Sequence, residues 1–304
     1  MRIFYLNPPS YDHLIATLVE GLLELGHEVK ASEASNYAEK LPDADIPGYA
    51  ELADLIVVGH YTWARHPLVA GVLNPRIVYV DGSDYQGLLL PDTIRPKLVF
   101  KRELNRHHPD AAASFLFPLP FAAERRYFAP APGQRDILVS FLASLESNPL
   151  RHSVYQRVAN LKHPQMVTGM TGERAYDAQA PSGLPMETPR YREALHRSVI
   201  SISVPGLGYD CARFWEILAA RAMLMSYEPD IVIPDGFTDG LDYVSFASLA
   251  EFEQKPLYYG NRPDLALEVA ERGHRRLLAH YTTRARAAYF LRIVQTRIER
   301  PGHC

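Results

Sequence analysis

Short runs of apolar residues, each followed by a segment long enough for a helix, recur along the whole chain. In the first half, these runs cover residues 2–6, 27–31, 54–60, 76–80, 97–101 and 114–117. The first is followed by a predicted helix over 11–25 that Gly26 ends. Strands alternating with helices predict βαβ units and a mostly parallel sheet. Since such crossovers are right-handed, we expect a doubly wound domain.

The pattern restarts after a Pro-rich stretch at 128–133, which is the best linker in the chain. The second half predicts strands at 136–142, 165–168, 198–204 and 223–226, and helices at 150–161, 210–221, 262–280 and 282–300. The sequence therefore predicts an α/β protein with two doubly wound Rossmann-like domains, 1–125 and 135–304, facing each other across a cleft. An option within this division is that the last helix packs back on the first domain. We expect ligands at loops that follow strands, in the cleft.

Charge and composition exclude several classes of protein. The net charge is -3, which gives no electrostatic footprint for bulk nucleic acid or membrane. The two cysteines, Cys211 and Cys304, cannot form a disulfide framework, so a reducing compartment fits best. The start of the chain has no apolar segment of the signal-peptide kind, and no run reaches the ~18 apolar residues of a membrane span. We therefore expect a cytoplasmic protein.

The loop after the predicted strand 198–204 contains the strongest candidates for ligand-binding residues. Gly206 and Gly208 allow a sharp turn and a close approach to a ligand. Asp210 is the predicted N-cap of the next helix, whose free N–H groups and positive dipole end suit a pyrophosphate. Glu216 lies about six residues into that helix, roughly 9 Å along its axis. This is about the offset from a diphosphate to the ribose hydroxyls, which a carboxylate accepts well.

A simpler interpretation of the same residues stays open at this stage. Arg213 and Glu216 are three residues apart and could form an ordinary solvated pair on the helix surface. A Gly-x-Gly turn before a helix is likewise a weak signal by itself.

The spacing Gly-x-Gly-x-Asp-x-x-Arg-x-x-Glu at 206–216 resembles the donor-binding region of GT-B glycosyltransferases, especially the bacterial group related to the spore-maturation CgeB proteins. The likeness covers most of 136–291. It implies that Glu216 binds the donor ribose and that residues 206–213, including Tyr209, surround the diphosphate. It also implies that Arg151 neutralises the departing diphosphate, although Arg151 could equally be a surface arginine early in a helix.

The same resemblance bears on stereochemistry and on metals. Retaining GT-B enzymes often have another glutamate eight residues before the second one. Gly208 stands at that position here, so retention and inversion both stay open. GT-B enzymes generally use helix dipoles and basic groups in place of a metal ion. We therefore predict no metal and no cofactor, with the nucleotide-sugar as co-substrate.

Candidate catalytic residues lie in the first half, in loops after predicted strands. They are His13, Asp81 and Asp84, any of which could take a proton from an acceptor hydroxyl. His13 could instead be a solvated residue at a helix start, and the two aspartates could form an Asx turn. Lys101 and Arg102 end another predicted strand, and their positive charges could face the donor phosphates or the acceptor. His60 is a weaker candidate.

The leading hypothesis is a glycosyltransferase that moves a sugar from a nucleotide-sugar to an acceptor hydroxyl. The acceptor could be a glycan, a protein, a metabolite or a modified DNA base, and the acidic balance argues against DNA. An epimerase or hydrolase of the same fold is one alternative. A non-catalytic cytoplasmic protein that binds nucleotide-sugars is another, since fold alone does not fix activity.

Overall fold

The computed structural model describes residues 1–9, 11–34, 37–62, 66–72, 76–90, 92, 94–129, 133–161, 164–170 and 188–298. Residues 130–132 of the predicted linker, the last two residues of the predicted final helix, and Cys304 lie outside this range. Within the described residues, no helix is both long and apolar enough to cross a membrane.

The chain forms two compact units. The first contains Met1–Ala122, Ile231–Pro234 and the described residues from His280 onward. The second contains Ala123–Asp230 and Asp235–Ala279. The end of the chain thus belongs to the first unit. The sequence-based division allowed this only for the last helix.

The first unit is built on a parallel sheet in the order β3-β2-β1-β4-β5-β6-β7. Its described strands are β1 (Arg2–Leu6), β2 (Glu28–Ala31), β3 (Glu39–Lys40), β4 (Leu55–Gly59), β5 (Ile77–Asp81), β6 (Leu98–Lys101) and β7 (Leu116–Pro118). Its described helices are α1 (His13–Glu24), α2 (Ile46–Leu52), α3 (Pro67–Ala70) and α9 (Thr283–Ile298). Strand order reverses between β1 and β4, which is the point where ligands bind in doubly wound sheets.

Apolar side chains cover both faces of this sheet. Because successive residues of a strand point to opposite faces, Ile3 and Tyr5 join the core beneath α1 and α9. Phe4 and Leu6 join the core on the other face. Burial on both sides explains why β4 reads as a continuous apolar run.

Helix α9 packs on α1 through a glycine contact. A Cβ at Gly21 would overlap the backbone carbonyl of Thr283 and come within 2.8 Å of the Ala287 Cβ. Glycine inside a helix costs roughly 0.5–1 kcal/mol relative to alanine. The close approach of the two helices gives the physical reason for a glycine at this buried position.

The second unit is built on another parallel sheet, in the order β12-β11-β10-β8-β9. Its described strands are β8 (Ile137–Ala143), β9 (Met166–Met170), β10 (Ser198–Ser203), β11 (Met223–Tyr227) and β12 (Val244–Phe246). Its described helices are α4 (Pro149–Asn160), α5 (Thr188–Arg197), α6 (Ala212–Ala219), α7 (Leu249–Gly260) and α8 (Pro263–His280). The order matches the flavodoxin-like arrangement, with the reversal between β8 and β10.

The predicted α/β class with two parallel sheets is confirmed. The strand and helix predictions fall within a few residues of the observed elements. Sequence patterns missed α7, which contains Pro256 and therefore does not read as a helix interior. They also missed the short strand β3, which has too few residues for a pattern.

Candidate functional site

Arg151 joins the two loops at the strand reversal of the second unit. It is a buried residue in the first turn of α4, immediately after the loop that follows β8. Its guanidinium contacts the Ser144 carbonyl (2.8 Å), Ser147 Oγ (2.7 Å), the Pro205 carbonyl (2.9 Å), the Val204 carbonyl (3.3 Å) and Cys211 Sγ (3.4 Å). Since arginine has five N–H donors, these contacts use its full capacity. The predicted alternative of a surface arginine is therefore wrong.

The approach of this arginine leaves little room for a side chain at Gly206. A Cβ at Gly206 would lie 2.9 Å from Arg151 Nη2. The Gly206 N–H points to the Gly208 carbonyl (3.0 Å) and to Cys211 Sγ (3.2 Å), and Asn148 Nδ2 donates to its carbonyl. The turn is thus held tightly by its own polar groups.

Helix α6 begins at Ala212, with Cys211 as its N-cap residue and no capping bond from the Cys211 side chain. The prediction that Asp210 is the N-cap is therefore wrong. The buried Asp210 carboxylate instead accepts a hydrogen bond of 2.8 Å from Trp215 Nε1. A buried indole N–H needs such an acceptor, which is the physical reason for the different role. The half-buried Tyr209 lies just before it in the same loop.

Arg213 is a second buried cation at the start of α6. It is only 9% exposed, and no described residue accepts a hydrogen bond from its Nε. Within the described part of the chain, no carboxylate forms an ion pair with Arg213 or Arg151. Burial lowers the pKa of Arg151, and the positive charge of Arg213 lowers it further. The two guanidinium groups therefore create a buried positive region in which no described carboxylate pairs with either arginine.

Glu216 lies one turn along the same helix and is also buried. Tyr191 donates a hydrogen bond of 2.5 Å to Glu216 Oε2. The ring of Tyr127 meets the Tyr191 ring edge-on, with centroids 6.1 Å apart, and burial followed by the charge of Glu216 raises the pKa of Tyr127. Burial, followed by the charge of Glu216, raises the pKa of Tyr191 well above its usual range. The predicted alternative of a solvated Arg213–Glu216 pair is wrong, since both residues are buried.

The start of α6 also corrects a predicted distance. Because the helix begins at Ala212, Glu216 is four residues along it, or about 6 Å along the axis, and not the predicted six residues. The two tyrosines were missed by sequence reasoning. Tyr191 is 25 residues from Glu216 in the chain, and nothing in their spacing signals a contact.

In the first unit, His60 connects the loops at the strand reversal. Its Nδ1 accepts a hydrogen bond from the Gly82 N–H (3.2 Å), so its Nε2 carries the proton and donates to Asp12 Oδ2 (3.2 Å). Asp12 also caps α1 through a bond from the Ile15 N–H. Burial lowers the pKa of His60, against the opposite effect of the nearby carboxylates. This neutral histidine therefore holds the loops after β1, β4 and β5 together.

Asp81 and Lys101 form a buried ion pair of 3.0 Å at the ends of β5 and β6. The two oxygens of Asp81 also accept bonds from Ser83 N, Ser83 Oγ and Leu89 N. The structure therefore gives Asp81 a loop-organising role and disfavours it as a general base. The prediction that Lys101 faces a phosphate is contradicted, since its ammonium is buried against Asp81.

Arg102 is also committed to contacts within this unit. It donates to Asp84 Oδ1 (2.5 Å) and the Gly82 carbonyl (2.9 Å), pairs with the buried Glu103, and lies 4.6 Å above the ring of Phe121. These contacts do not favour its predicted role at the donor phosphates. The Asp84 side chain, in contrast, stays 47% exposed.

His13 is the first residue of α1 and is half-buried. Its ring meets the Phe121 ring edge-on, with centroids 4.7 Å apart. His13 and Arg102 therefore share one aromatic ring. In the range that the structure covers, no group of three or more His, Cys, Asp or Glu side chains could hold a metal ion. The predicted metal independence stays a prediction.

The two sheets define the GT-B fold, and solved structures share it across the whole chain. A glycosyltransferase from Rickettsia africae is 11% identical, with 98% of each chain covered and a TM-score of 0.71. HepE from Anabaena, solved with UDP and glucose, is 10% identical over 97% of this chain and 100% of that chain (TM-score 0.66). Sucrose-phosphate synthase from Thermosynechococcus elongatus is 9% identical over 98% and 99% (TM-score 0.63). At these identities, the likeness shows the fold.

The family comparison concerns the second half of the chain. A family model described as glycosyl transferase-like matches residues 151–292, a range that includes Arg151, Arg213 and Glu216. The chain therefore carries a glycosyltransferase domain on a GT-B fold, and the predicted activity class is confirmed. A comparison with curated proteins found no significant match.

Proposed function

We propose that the chain transfers a sugar from a UDP-sugar to an acceptor hydroxyl, with the nucleotide bound by the loops after β8 and β10. The observation that carries this proposal is the buried Arg213, which has no anionic partner among the described residues, at the N-terminus of α6. UDP is the nucleotide suggested by the Anabaena structure of the same fold.

The diphosphate would lie at the start of α6. The first N–H groups of a helix and its positive dipole end favour an anion. Arg213 adds a buried charge that the described residues do not neutralise, and its planar fork suits phosphate oxygens. Arg151 uses its donors on the loops, so its contribution is to fix the turn at Gly206 and to add positive charge.

The ribose would bind to Glu216. A carboxylate has about four lone-pair positions, and the Tyr191 hydroxyl occupies only one of them. The remaining positions can accept bonds from two ribose hydroxyls. Tyr191 orients the carboxylate for this task, because it fixes Oε2 by a hydrogen bond.

Catalysis would come from stabilising the leaving diphosphate as its charge develops. Donors fixed before the reaction cost no reorganisation during it, and the arginine network provides such fixed charge. On the acceptor side, His13 and Asp84 are the stronger nominees for a general base, because Asp81 is fully buried and hydrogen-bonded. We further propose the CgeB-related group as the relatives of this chain, on the spacing at 206–216.

Titration calorimetry with UDP, UMP and uridine tests the donor site residue by residue. Glu216→Gln should weaken all three ligands about ten- to hundredfold, because it removes charge-assisted bonds to ribose. Arg213→Gln should weaken UDP but leave uridine unchanged, because uridine has no phosphate. The matched controls, Glu268→Gln and Arg272→Gln, alter an exposed ion pair on α8 and should change nothing.

The proposal is contradicted if UDP does not bind the wild-type chain, or if Arg213→Gln weakens uridine as much as UDP. Turnover of UDP-glucose without any added acceptor, to an epimer, would favour the epimerase alternative. Release of UDP that depends on an added acceptor would support transfer.

A further inference from the structure

An exposed tyrosine lies in each of the three loops that His60 ties together. Tyr11 precedes Asp12 after β1, Tyr61 follows His60 after β4, and Tyr85 comes three residues beyond Gly82 after β5. Their exposures are 51%, 59% and 59%, high for aromatic side chains. Since β1, β4 and β5 are neighbours in the sheet, the three loops share one edge of it.

The backbone at Tyr61 is held in an unfavourable conformation. Its φ is 58°, in the left-handed region that bulky residues seldom adopt. Its ring meets the His60 ring with centroids 4.4 Å apart. Backbone strain of this kind persists where the surrounding structure fixes it, and it clusters at ligand sites.

The ring of Tyr85 packs against the backbone of Gly87. A Cβ at Gly87 would lie 2.6 Å from Tyr85 Cζ and 2.7 Å from its hydroxyl oxygen. The ring therefore lies directly over the backbone of Gly87, with much of its surface exposed. Any other residue at this position would displace it.

A carboxylate lies in the same loop as one of these tyrosines. Asp84 precedes Tyr85, and its Oδ1 accepts a bond from Arg102. No other described residue forms a hydrogen bond or an ion pair with the Asp84 carboxylate, so Oδ2 can accept a bond from a hydroxyl group. An unpaired carboxylate oxygen repels phosphate and favours a neutral, hydroxyl-rich ligand.

From this arrangement we infer that Tyr61, Tyr85 and Asp84 form an acceptor subsite for a neutral sugar ring. The C–H face of a pyranose carries slight positive charge and packs on the negative face of an aromatic ring. Its hydroxyl groups donate to the Asp84 carboxylate. The inference rests on the proposed transferase function and names the acceptor class as a carbohydrate, in preference to DNA.

Saturation-transfer NMR on the full chain, with UDP present, tests the subsite. The probes are maltose, cellobiose, lactose and diacetylchitobiose, with a decathymidine strand as the DNA probe. At least one disaccharide should bind, and Tyr61→Ala and Tyr85→Ala should each weaken it about three- to tenfold. Tyr61→Phe and Tyr85→Phe should retain binding, because the ring face persists.

Tyr258→Ala is the matched control, since Tyr258 is a 49% exposed tyrosine on α7 of the other unit, and it should change nothing. UDP affinity should be equal in all variants. Binding of UDP without binding of any sugar, equal sugar affinity in the alanine variants, or preference for the DNA probe would each overturn the inference. Failure of UDP itself to bind would contradict the proposed function instead.

Discussion

Replacing Arg151 with methionine should destabilise the second unit and disorganise the donor loops. Methionine fills similar apolar volume but donates no hydrogen bond. The substitution leaves Ser144, Val204 and Pro205 with carbonyls that lose their donor in a partly buried site. An unsatisfied buried acceptor costs about 1–3 kcal/mol. Removal of a buried charge beside Arg213 offsets part of this cost, so we expect a net loss of about 2–4 kcal/mol.

Thermal unfolding followed by circular dichroism measures this loss. For a unit of this size, it corresponds to a decrease in Tm of roughly 5–12 °C. Arg157→Met is the matched control on the same helix, because Arg157 forms a half-exposed ion pair with Glu253 that is worth at most about 1 kcal/mol. Equal Tm values for the two variants would refute the structural role assigned to Arg151.

Three further predictions concern packing, pH and the carboxylate site. Gly21→Ala should lower the free energy of unfolding by about 1–3 kcal/mol, because the added Cβ overpacks against α9. Gly48→Ala is the control, because a Cβ there meets nothing within 4 Å and should not destabilise the protein. Urea titration measures both variants. The pKa of His60 is lowered in the folded state, so neutral His60 contributes fully to the free energy of unfolding above about pH 6.5. This contribution is lost as the pH falls below that value, by at most about 1.4 kcal/mol per pH unit. The wild-type protein should therefore lose unfolding free energy between about pH 7.5 and pH 5, and His60→Gln should lose less of it. An equal loss in the two proteins would contradict this account. Tyr191→Phe should weaken uridine binding about three- to tenfold, because it removes the hydrogen bond that holds Glu216 Oε2. The control is Tyr155→Phe, because the buried Tyr155 hydroxyl has no hydrogen-bond partner among the described residues, and its affinity in calorimetry should be unchanged.

The sequence by itself predicted most of the strands and helices and the loop in which we propose the donor site. Buried parallel strands read as continuous apolar runs, and Gly26, with a φ of 81°, ends α1 because only glycine adopts that conformation readily. The spacing from Gly206 to Glu216 is a local pattern within one loop and one helix. Short-range patterns of this kind survive in a single sequence, so both could be predicted.

Only the tertiary structure decided what each polar side chain does. The ion pair of Asp81 with Lys101 and the bond of Tyr191 to Glu216 join residues that are distant in the chain. Whether a carboxylate is open to a substrate or saturated by neighbours depends on strand order and burial, which no local spacing encodes. Gly21 is a further example. Glycine is favoured there because α9, more than two hundred residues later in the chain, packs so closely that a Cβ has no room.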